Sequence, residues 1–148
     1  MTPHLINDLL LSKRFALLAR VVLTFVFWSS GLAKMFDFHA AVAEMERYGV
    51  LPAAPMALAV IALQLGGSAL VISGRHVWLG AGMLGVFTAL TIPIAHAFWS
   101  MTGEQAFVEM LFALEHVSVI GGLMTIATLG AVYGRHSGAA TIGKALPA

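Results

Sequence analysis

The segment from Ala53 to Ser73 reads AAPMALAVIALQLGGSALVIS and contains no charged side chain. A helix needs about 20 predominantly apolar residues to cross the hydrocarbon core of a bilayer. Pro52 and Pro55 lie where a helix begins, a position that proline tolerates, and Gly74 follows the apolar run. The segment therefore predicts a membrane-spanning helix.

Three further segments have the same length and character, and they are Phe15–Met35, Val77–Trp99 and Met110–Val132. Pro93 predicts a kink near the end of the third span. The connections are short, so neighbouring helices are expected to run antiparallel. The sequence predicts an all-α fold, one membrane domain over residues 1–148, built as a four-transmembrane-helix antiparallel bundle with a flexible C-terminal tail at 135–148.

The composition agrees with a membrane protein. Hydrophobic residues make up 59% of the chain and charged residues 10%, whereas soluble domains carry roughly 25% charged residues. The net charge of +1 gives no reason to expect nucleic acid as a partner. The chain contains no cysteine, which excludes disulfides and thiolate metal sites within it.

The orientation follows from the basic residues, because cytoplasmic loops carry the excess of Lys and Arg. One side of the predicted bundle has Lys13, Arg14, Arg75, Arg135 and Lys144, and the other has only Lys34 and Arg47. Both termini are therefore predicted to be cytoplasmic.

The loop after the first span contains apolar residues at helical spacing, namely Phe38, Val42, Met45 and Tyr48. Charged residues lie between them. The pattern predicts a short amphipathic helix at the outer membrane interface. A surface loop with scattered apolar side chains is the alternative.

The polar residues inside the spans are the candidate functional residues, because charge in a bilayer is costly and such side chains usually face the protein interior. Gln64, His96 and Glu115 each share a helix face with small residues, which mark close helix contacts. With both termini inside, Lys34, His96 and Glu115 lie toward the outer side, with Gln64 below them. The sequence predicts an outward-facing polar pocket that also includes His116 and Arg20. His116 lies off the small-residue face of the fourth span, so a different helix interface or the headgroup region is the alternative place for it.

Three interpretations of these residues remain open. Lys34 and Glu115 have opposite charge and similar predicted depth, so an ion pair between them would fix helix register. Alternatively, the residues line a pocket for a small lipophilic ligand, with His96 as proton acceptor or hydrogen-bond partner. A metal site using His96, Glu115 and His116 is the third interpretation, and haem through the two histidines is a variant of it. No metal or other cofactor is evident from a motif.

Several short stretches occur in an order that is typical of one family: Arg20 followed by Phe27–Lys34 (FWSSGLAK), then Tyr48–Pro52, Leu63–Gly67, Ser73–Arg75, His96–Trp99 and Val117–Gly122. Together they resemble the DoxX family of membrane proteins, and within it the small YphA-type proteins. The resemblance covers roughly residues 15–132. It departs from the family at Gln64, where many relatives have Glu, and at Glu115-His116, where many have Lys-Asn.

The resemblance implies a multi-pass protein of the bacterial inner membrane. It also implies an accessory or scaffolding subunit, since some members are associated with membrane redox or respiratory systems. Binding or transport of a small lipophilic molecule such as a quinone is the second hypothesis, and a metal- or haem-dependent oxidoreductase is the third. No catalytic motif is present, so the sequence favours a protein that is not itself an enzyme. The expected partners are the lipid bilayer and either other membrane subunits or a second copy of the chain.

Overall fold

The computed structural model describes the backbone of residues 3–145 and the side chains as far as Val132. Within that range the chain is helical, and no β-strand occurs there. The elements are α1 (His4–Leu10), α2 (Lys13–Leu23), α3 (Phe25–Phe36), α4 (Phe38–Arg47), α5 (Ala53–Ser73), α6 (Val77–Ala95), a 3-10 helix (Phe98–Ser100) and α7 (Gly103–Ala145). The predicted all-α class is confirmed for these residues.

Three stretches in the described range are long and apolar enough to cross a membrane, and they are Ala53–Ser73, Val77–Ser100 and Gly103–Val132. Helices α2 and α3 qualify together as a fourth, although they are bent relative to each other by 55°. The chain is therefore a multi-pass membrane protein with three or four spans.

The first predicted span, Phe15–Met35, is not one continuous helix, and the break occurs at Thr24. The Thr24 hydroxyl donates to the Arg20 carbonyl at 2.8 Å, and threonine bonded back to the preceding turn bends helices. The Trp28 indole Nε1 donates to the carbonyl of Val21 at 3.3 Å, so a side chain serves a backbone group beside the break. These bonds let the backbone bend without leaving its polar groups bare in an apolar environment.

The predicted helix between the first two spans is present as α4, which begins after Asp37. The Asp37 carboxylate caps it by accepting from the Ala40 backbone amide at 2.9 Å. The apolar face of α4 packs on the start of α5, where Ala41, Met45 and Ala57 form a small buried core. Its position at the membrane interface stays a prediction.

Helix α5 lies at the centre of the contacts, against α3, α4 and α6, while α7 packs on α6. At the α5–α6 crossing, a Cβ added to Gly80 would lie 2.6 Å from the carbonyl oxygen of Gly67. The two backbones can approach this closely because Gly80 has no side chain. The main buried core lies beside this contact and consists of Phe27, Val71, Ala81, Leu84 and Leu123.

The last two helices differ in extent from their predicted spans. Helix α6 contains Pro93 and ends at Ala95, and a 3-10 helix follows. Helix α7 begins at Gly103, earlier than the predicted Met110, and its backbone is helical through Ala145. The flexibility predicted for the tail 135–148 stays a prediction, and residues 146–148 lie outside the described part of the chain.

Candidate functional site

A cavity of about 540 Å³ lies among α3, α4, α5, α6 and α7. Most of its wall is apolar, and this part includes Val26, Phe27, Met56, Val60, Phe87 and Ile94. The membrane-spanning part of the wall comes from the halves of these helices nearest to α4. The cavity is thus a compartment at one end of the protein, enclosed in part by the loop helix.

Five of the six polar residues singled out from the sequence line this one cavity, and they are Lys34, Gln64, His96, Glu115 and His116. The sixth, Arg20, does not line it. The residues come from four different helices or helix ends. Helical phase and predicted depth were sufficient to group Gln64, His96 and Glu115 without any knowledge of the packing, whereas the phase of His116 set it apart from them.

The predicted Lys34–Glu115 ion pair is wrong. Lys34 Nζ lies 2.6 Å from Oε2 of Glu44, one of the charged residues between the apolar positions of the loop helix. Because α4 turns back directly after α3, it brings Glu44 over the end of α3, so that Lys34 finds a partner close in sequence. In the sequence, this pair could have been predicted from the connection between α3 and α4, which consists of Asp37 alone and keeps the two helices close together.

A hydrogen-bonded group surrounds Lys34 on the cavity wall. The Ser30 hydroxyl oxygen lies 3.4 Å from Lys34 Nζ and 3.4 Å from Gln64 Nε2, both of which donate to it. Gln64 is only 5% exposed, and within the described residues its Oε1 has no hydrogen-bond partner. This end of the cavity therefore presents a buried acceptor that is not satisfied by the protein.

The second polar end of the cavity is at His96, which contacts Glu109, a residue outside the predicted site. His96 ends α6, and its Nδ1 lies 2.7 Å from Oε2 of Glu109. An ionised carboxylate only accepts, so the ring nitrogen donates in that state. Glu109 was missed because it precedes the apolar run. A helix starting at Gly103 would have shown Glu109 and His116 on one face, seven positions apart.

The histidine rings are neighbours, with 4.7 Å between the centroids of His96 and His116. His116 Nδ1 also lies 2.7 Å from the carbonyl oxygen of Phe112, one turn earlier on α7. The helical phase of His116 predicted that it would point away from the other polar residues. His116 lines the cavity nonetheless, because both Glu115 and His116, which are adjacent on α7, contribute to the wall.

Glu115 is exposed and lies at the edge of the cavity. Within the part of the chain whose side chains are described, it has no hydrogen bond or ion pair. Its carboxylate is therefore the charged group of the cavity wall that is not neutralised by a neighbour.

Arg20 lies at the other end of α5, away from the cavity. Its guanidinium occupies the space that a Cβ at Gly74 would need, and Gly74 has a φ of +74°. Gly74 caps the C-terminus of α5, where the helix dipole favours a cation. Arg20 thus belongs to the packing of α2 on α5, and its inclusion in the predicted pocket is wrong.

The residues considered as metal ligands, His96, Glu115 and His116, do not form a metal-binding cluster in the described part of the chain. Among the described residues, no group of three or more His, Asp or Glu side chains is placed to hold a metal ion. His96 and His116 are close, but Glu109 rather than Glu115 contacts the pair. The geometry gives the metal interpretation no ligand set, and the absence of Cys leaves no thiolate to complete one.

Comparison with known proteins assigns the family. A sequence model of the DoxX family matches residues 15–97. The chain belongs to the DoxX family. It is 28% identical over 116 residues to the inner membrane protein YphA of Escherichia coli strain K12, covering 77% of this chain and 81% of YphA. No solved structure matches it.

The DoxX assignment confirms the resemblance drawn from the short motifs. Together with the apolar helices, the inner-membrane relative indicates that this DoxX protein is a multi-pass protein of the bacterial inner membrane. The family match ends at residue 97, so it covers α3, α4, α5 and His96 but not α7. The cavity therefore combines a wall within the matched region with a second wall, carrying Glu115 and His116, beyond it.

Proposed function

We propose that this DoxX protein binds a small lipophilic molecule, such as a quinone, in the cavity between α3 and α7. The carrying observation is the cavity itself, which has a volume of about 540 Å³ and a largely apolar wall with a few polar groups. Small-molecule sites in proteins have volumes of roughly 300–1,000 Å³ and the same character. An accessory polar cluster that only fixed helix register would have no need of such a space.

The wall suggests how such a molecule would lie. Apolar side chains such as Phe27, Val60 and Phe87 offer a surface for a hydrocarbon or ring. Gln64 at one place and His96 at another offer hydrogen bonds to a polar head. The arrangement suits an amphiphile that reaches the cavity from the bilayer rather than a fully water-soluble metabolite.

The proposal includes a topology. The chain would cross the membrane four times as an antiparallel bundle, with α2 and α3 as one bent span and both termini in the cytoplasm. The distribution of Lys and Arg supports this orientation. Helix α4 would then lie at the outer interface, and the cavity would occupy the outer half of the membrane beneath it.

The other predicted roles concern protein partners and redox chemistry, and the cavity gives less direct support to them. An accessory or scaffolding subunit of a redox or respiratory system stays a prediction, as do assembly with other subunits and formation of a homo-oligomer. Ligand binding is compatible with an accessory role. A metal- or haem-dependent oxidoreductase has the least support, because the described residues offer no ligand set.

A cavity-filling substitution tests the proposal. Val60→Trp would place an indole in the cavity wall, and Leu58→Trp is the matched control, because Leu58 lies on the same helix but is 58% exposed and outside the wall. Both proteins would be purified in mild detergent and compared by native mass spectrometry, with and without added decylubiquinone. We expect the wild type and Leu58→Trp to retain a bound lipophile or take up the probe, and Val60→Trp to lose it. Equal binding by the two tryptophan variants would overturn the proposal.

A further inference from the structure

We infer that the end of the protein opposite the cavity binds the phosphate group of an anionic phospholipid. The site consists of Arg20 and Arg75, which lie on either side of Gly74, and we call it the basic site. This inference does not depend on ligand binding in the cavity. Its basis is a guanidinium group that belongs to a membrane span and for which the protein supplies no anion.

Arg20 lies within α2, yet its side chain reaches the end of a neighbouring helix. It follows Lys13, the first residue of α2, by about two helical turns. Its guanidinium packs against Gly74, which is the left-handed C-cap of α5. The charge therefore lies at the level where α5 ends, and a long side chain that carries its charge from within a span toward the headgroups is typical of arginine.

No carboxylate neutralises Arg20. The ion pairs among the described side chains have His4, Lys34 and His96 as their basic partners. Asp8 is the only acidic residue of α1 and α2, and it lies 3.1 Å from His4 Nδ1. The other acidic residues lie in or beside α4 and in the first part of α7, toward the cavity. They are Asp37, Glu44, Glu46, Glu104, Glu109 and Glu115.

The guanidinium is also short of hydrogen-bond acceptors. Arg20 Nε is buried, and residues 3–132 offer it no hydrogen-bond partner. The C-terminal end of α5 presents the negative end of a helix dipole, which favours a cation without neutralising it. A planar guanidinium binds phosphate oxygens through two parallel hydrogen bonds. A phosphate beside Arg20 would therefore supply the charge and the acceptors that the protein does not.

The surroundings of Arg20 favour a lipid as the source of the phosphate. Arg75 is exposed at the end of α5, and Lys13 and Arg14 are exposed at the start of α2. Clusters of basic residues beside membrane spans recognise anionic phospholipids. Acyl chains of such a lipid would also cover apolar side chains of α2 that are exposed on both sides of Arg20, whereas free phosphate would leave them bare. These side chains are Leu17, Leu18 and Val22.

Native mass spectrometry of the purified full-length protein tests the inference. After delipidation in detergent, the protein would be titrated with phosphatidylglycerol and with phosphatidylcholine of identical acyl chains, which share a phosphate but differ in net charge. We expect the wild type to bind the first phosphatidylglycerol molecule at least about fivefold more tightly than phosphatidylcholine. Arg20→Gln should bring the two lipids to within about twofold of each other.

Matched variants locate the effect at Arg20. Arg47→Gln removes the same charge from an exposed position of α4, away from the basic site, and should behave like the wild type. Lys13→Gln combined with Arg14→Gln removes more charge beside the basic site but leaves Arg20, and should retain most of the preference. Arg20→Lys keeps the charge without the planar fork and should retain part of it.

Three results would overturn the inference. One is equal binding of the two lipids by the wild type. Another is a loss in the Lys13 and Arg14 double variant as large as that in Arg20→Gln, since the surface charge as a whole would then attract the lipid. The third is displacement of phosphatidylglycerol by excess inorganic phosphate, which would indicate a site for free phosphate. If Arg20→Gln does not fold, the wild type, the double variant and Arg20→Lys still decide.

Discussion

The carboxylate of Glu44 in α4 contacts the ammonium group of Lys34 in α3, with 2.6 Å between Oε2 and Nζ. The Lys34 side chain is 15% exposed and that of Glu44 is 39% exposed. The pair therefore links a mostly buried lysine of the cavity wall to the helix that covers one end of the cavity. It neutralises the cation and holds α4 over the end of α3.

Removing Glu44 alone should destabilise the protein more than replacing Glu44 and Lys34 together. Glu44→Ala leaves Lys34 uncompensated and should lower the free energy of unfolding by about 1–2 kcal/mol, less than for a fully buried pair because Glu44 is partly in solvent. Lys34→Met combined with Glu44→Met should cost less. Unfolding in mixed dodecyl sulfate and maltoside micelles measures both.

Two further variants control this experiment. Glu46→Ala, at an exposed position of the same helix, should change stability by less than about 0.5 kcal/mol. Glu115→Gln should do the same, since Glu115 is not the partner of Lys34. A loss from Glu115→Gln as large as that from Glu44→Ala would contradict the observed pairing.

Gly80→Ala should loosen the contact between α5 and α6. The added methyl group would lie 2.6 Å from the Gly67 carbonyl oxygen and 2.8 Å from Leu70 Cβ, and overpacking of this kind costs roughly 1–3 kcal/mol. Gly82→Ala is the control on the same helix, because nothing lies within 4 Å of a Cβ at that position. Thermal unfolding followed by circular dichroism should show a lower midpoint for Gly80→Ala alone.

Thr24→Val should straighten the first span. The substitution removes the hydroxyl that donates to the Arg20 carbonyl and keeps the side-chain volume nearly constant. Because the chain contains no native cysteine, spin labels can be attached at Leu17→Cys and Met35→Cys without background. At 1.5 Å rise per residue, removing the bend should lengthen the distance between the labels by roughly 3 Å. Thr24→Ser keeps the hydroxyl and should leave the distance unchanged.

Glu109→Leu should change the tautomer of His96. In the wild type the neutral ring is expected to carry its proton on Nδ1, because that nitrogen faces the Glu109 carboxylate. Without the carboxylate, the ¹⁵N signals of His96 should move toward the form protonated on Nε2. Glu104→Leu, in the first turn of the same helix, should have no effect. An unchanged tautomer in Glu109→Leu would show that Glu109 does not position the ring.

The helices and the grouping of polar residues were predictable because each rests on a local property. Apolar length identified α5, α6 and most of α7, and helical spacing identified α4. Phase and depth placed Gln64, His96 and Glu115 in one region, since a residue's position along a span fixes both quantities. The same rules could not show the bend at Thr24, because a threonine in a helix bends it only in some surroundings.

The partners of the charged residues were less predictable, since ion pairs depend on side-chain reach and on how short segments fold back. Glu44 and Glu109 both lie outside the apolar runs, so neither has the feature that marked the other candidates, a polar side chain within a predicted span. Arg20 was grouped with the pocket because charge within a span suggests function. Its actual neighbour is Gly74 at the end of α5, a contact that no periodicity encodes.

The bend at Thr24 separates two sets of residues in one span. None of the cavity wall comes from α2, and the α3 half supplies Val26, Phe27, Ser30 and Lys34. The α2 half instead carries Arg20, which packs against the end of α5. Mutations in the wall of the proposed ligand site and mutations in the contact of α2 with the end of α5 therefore fall on different sides of a single threonine. An engineer, or natural variation, can reshape the cavity wall from Phe25 onward while leaving the anchoring half of the span intact.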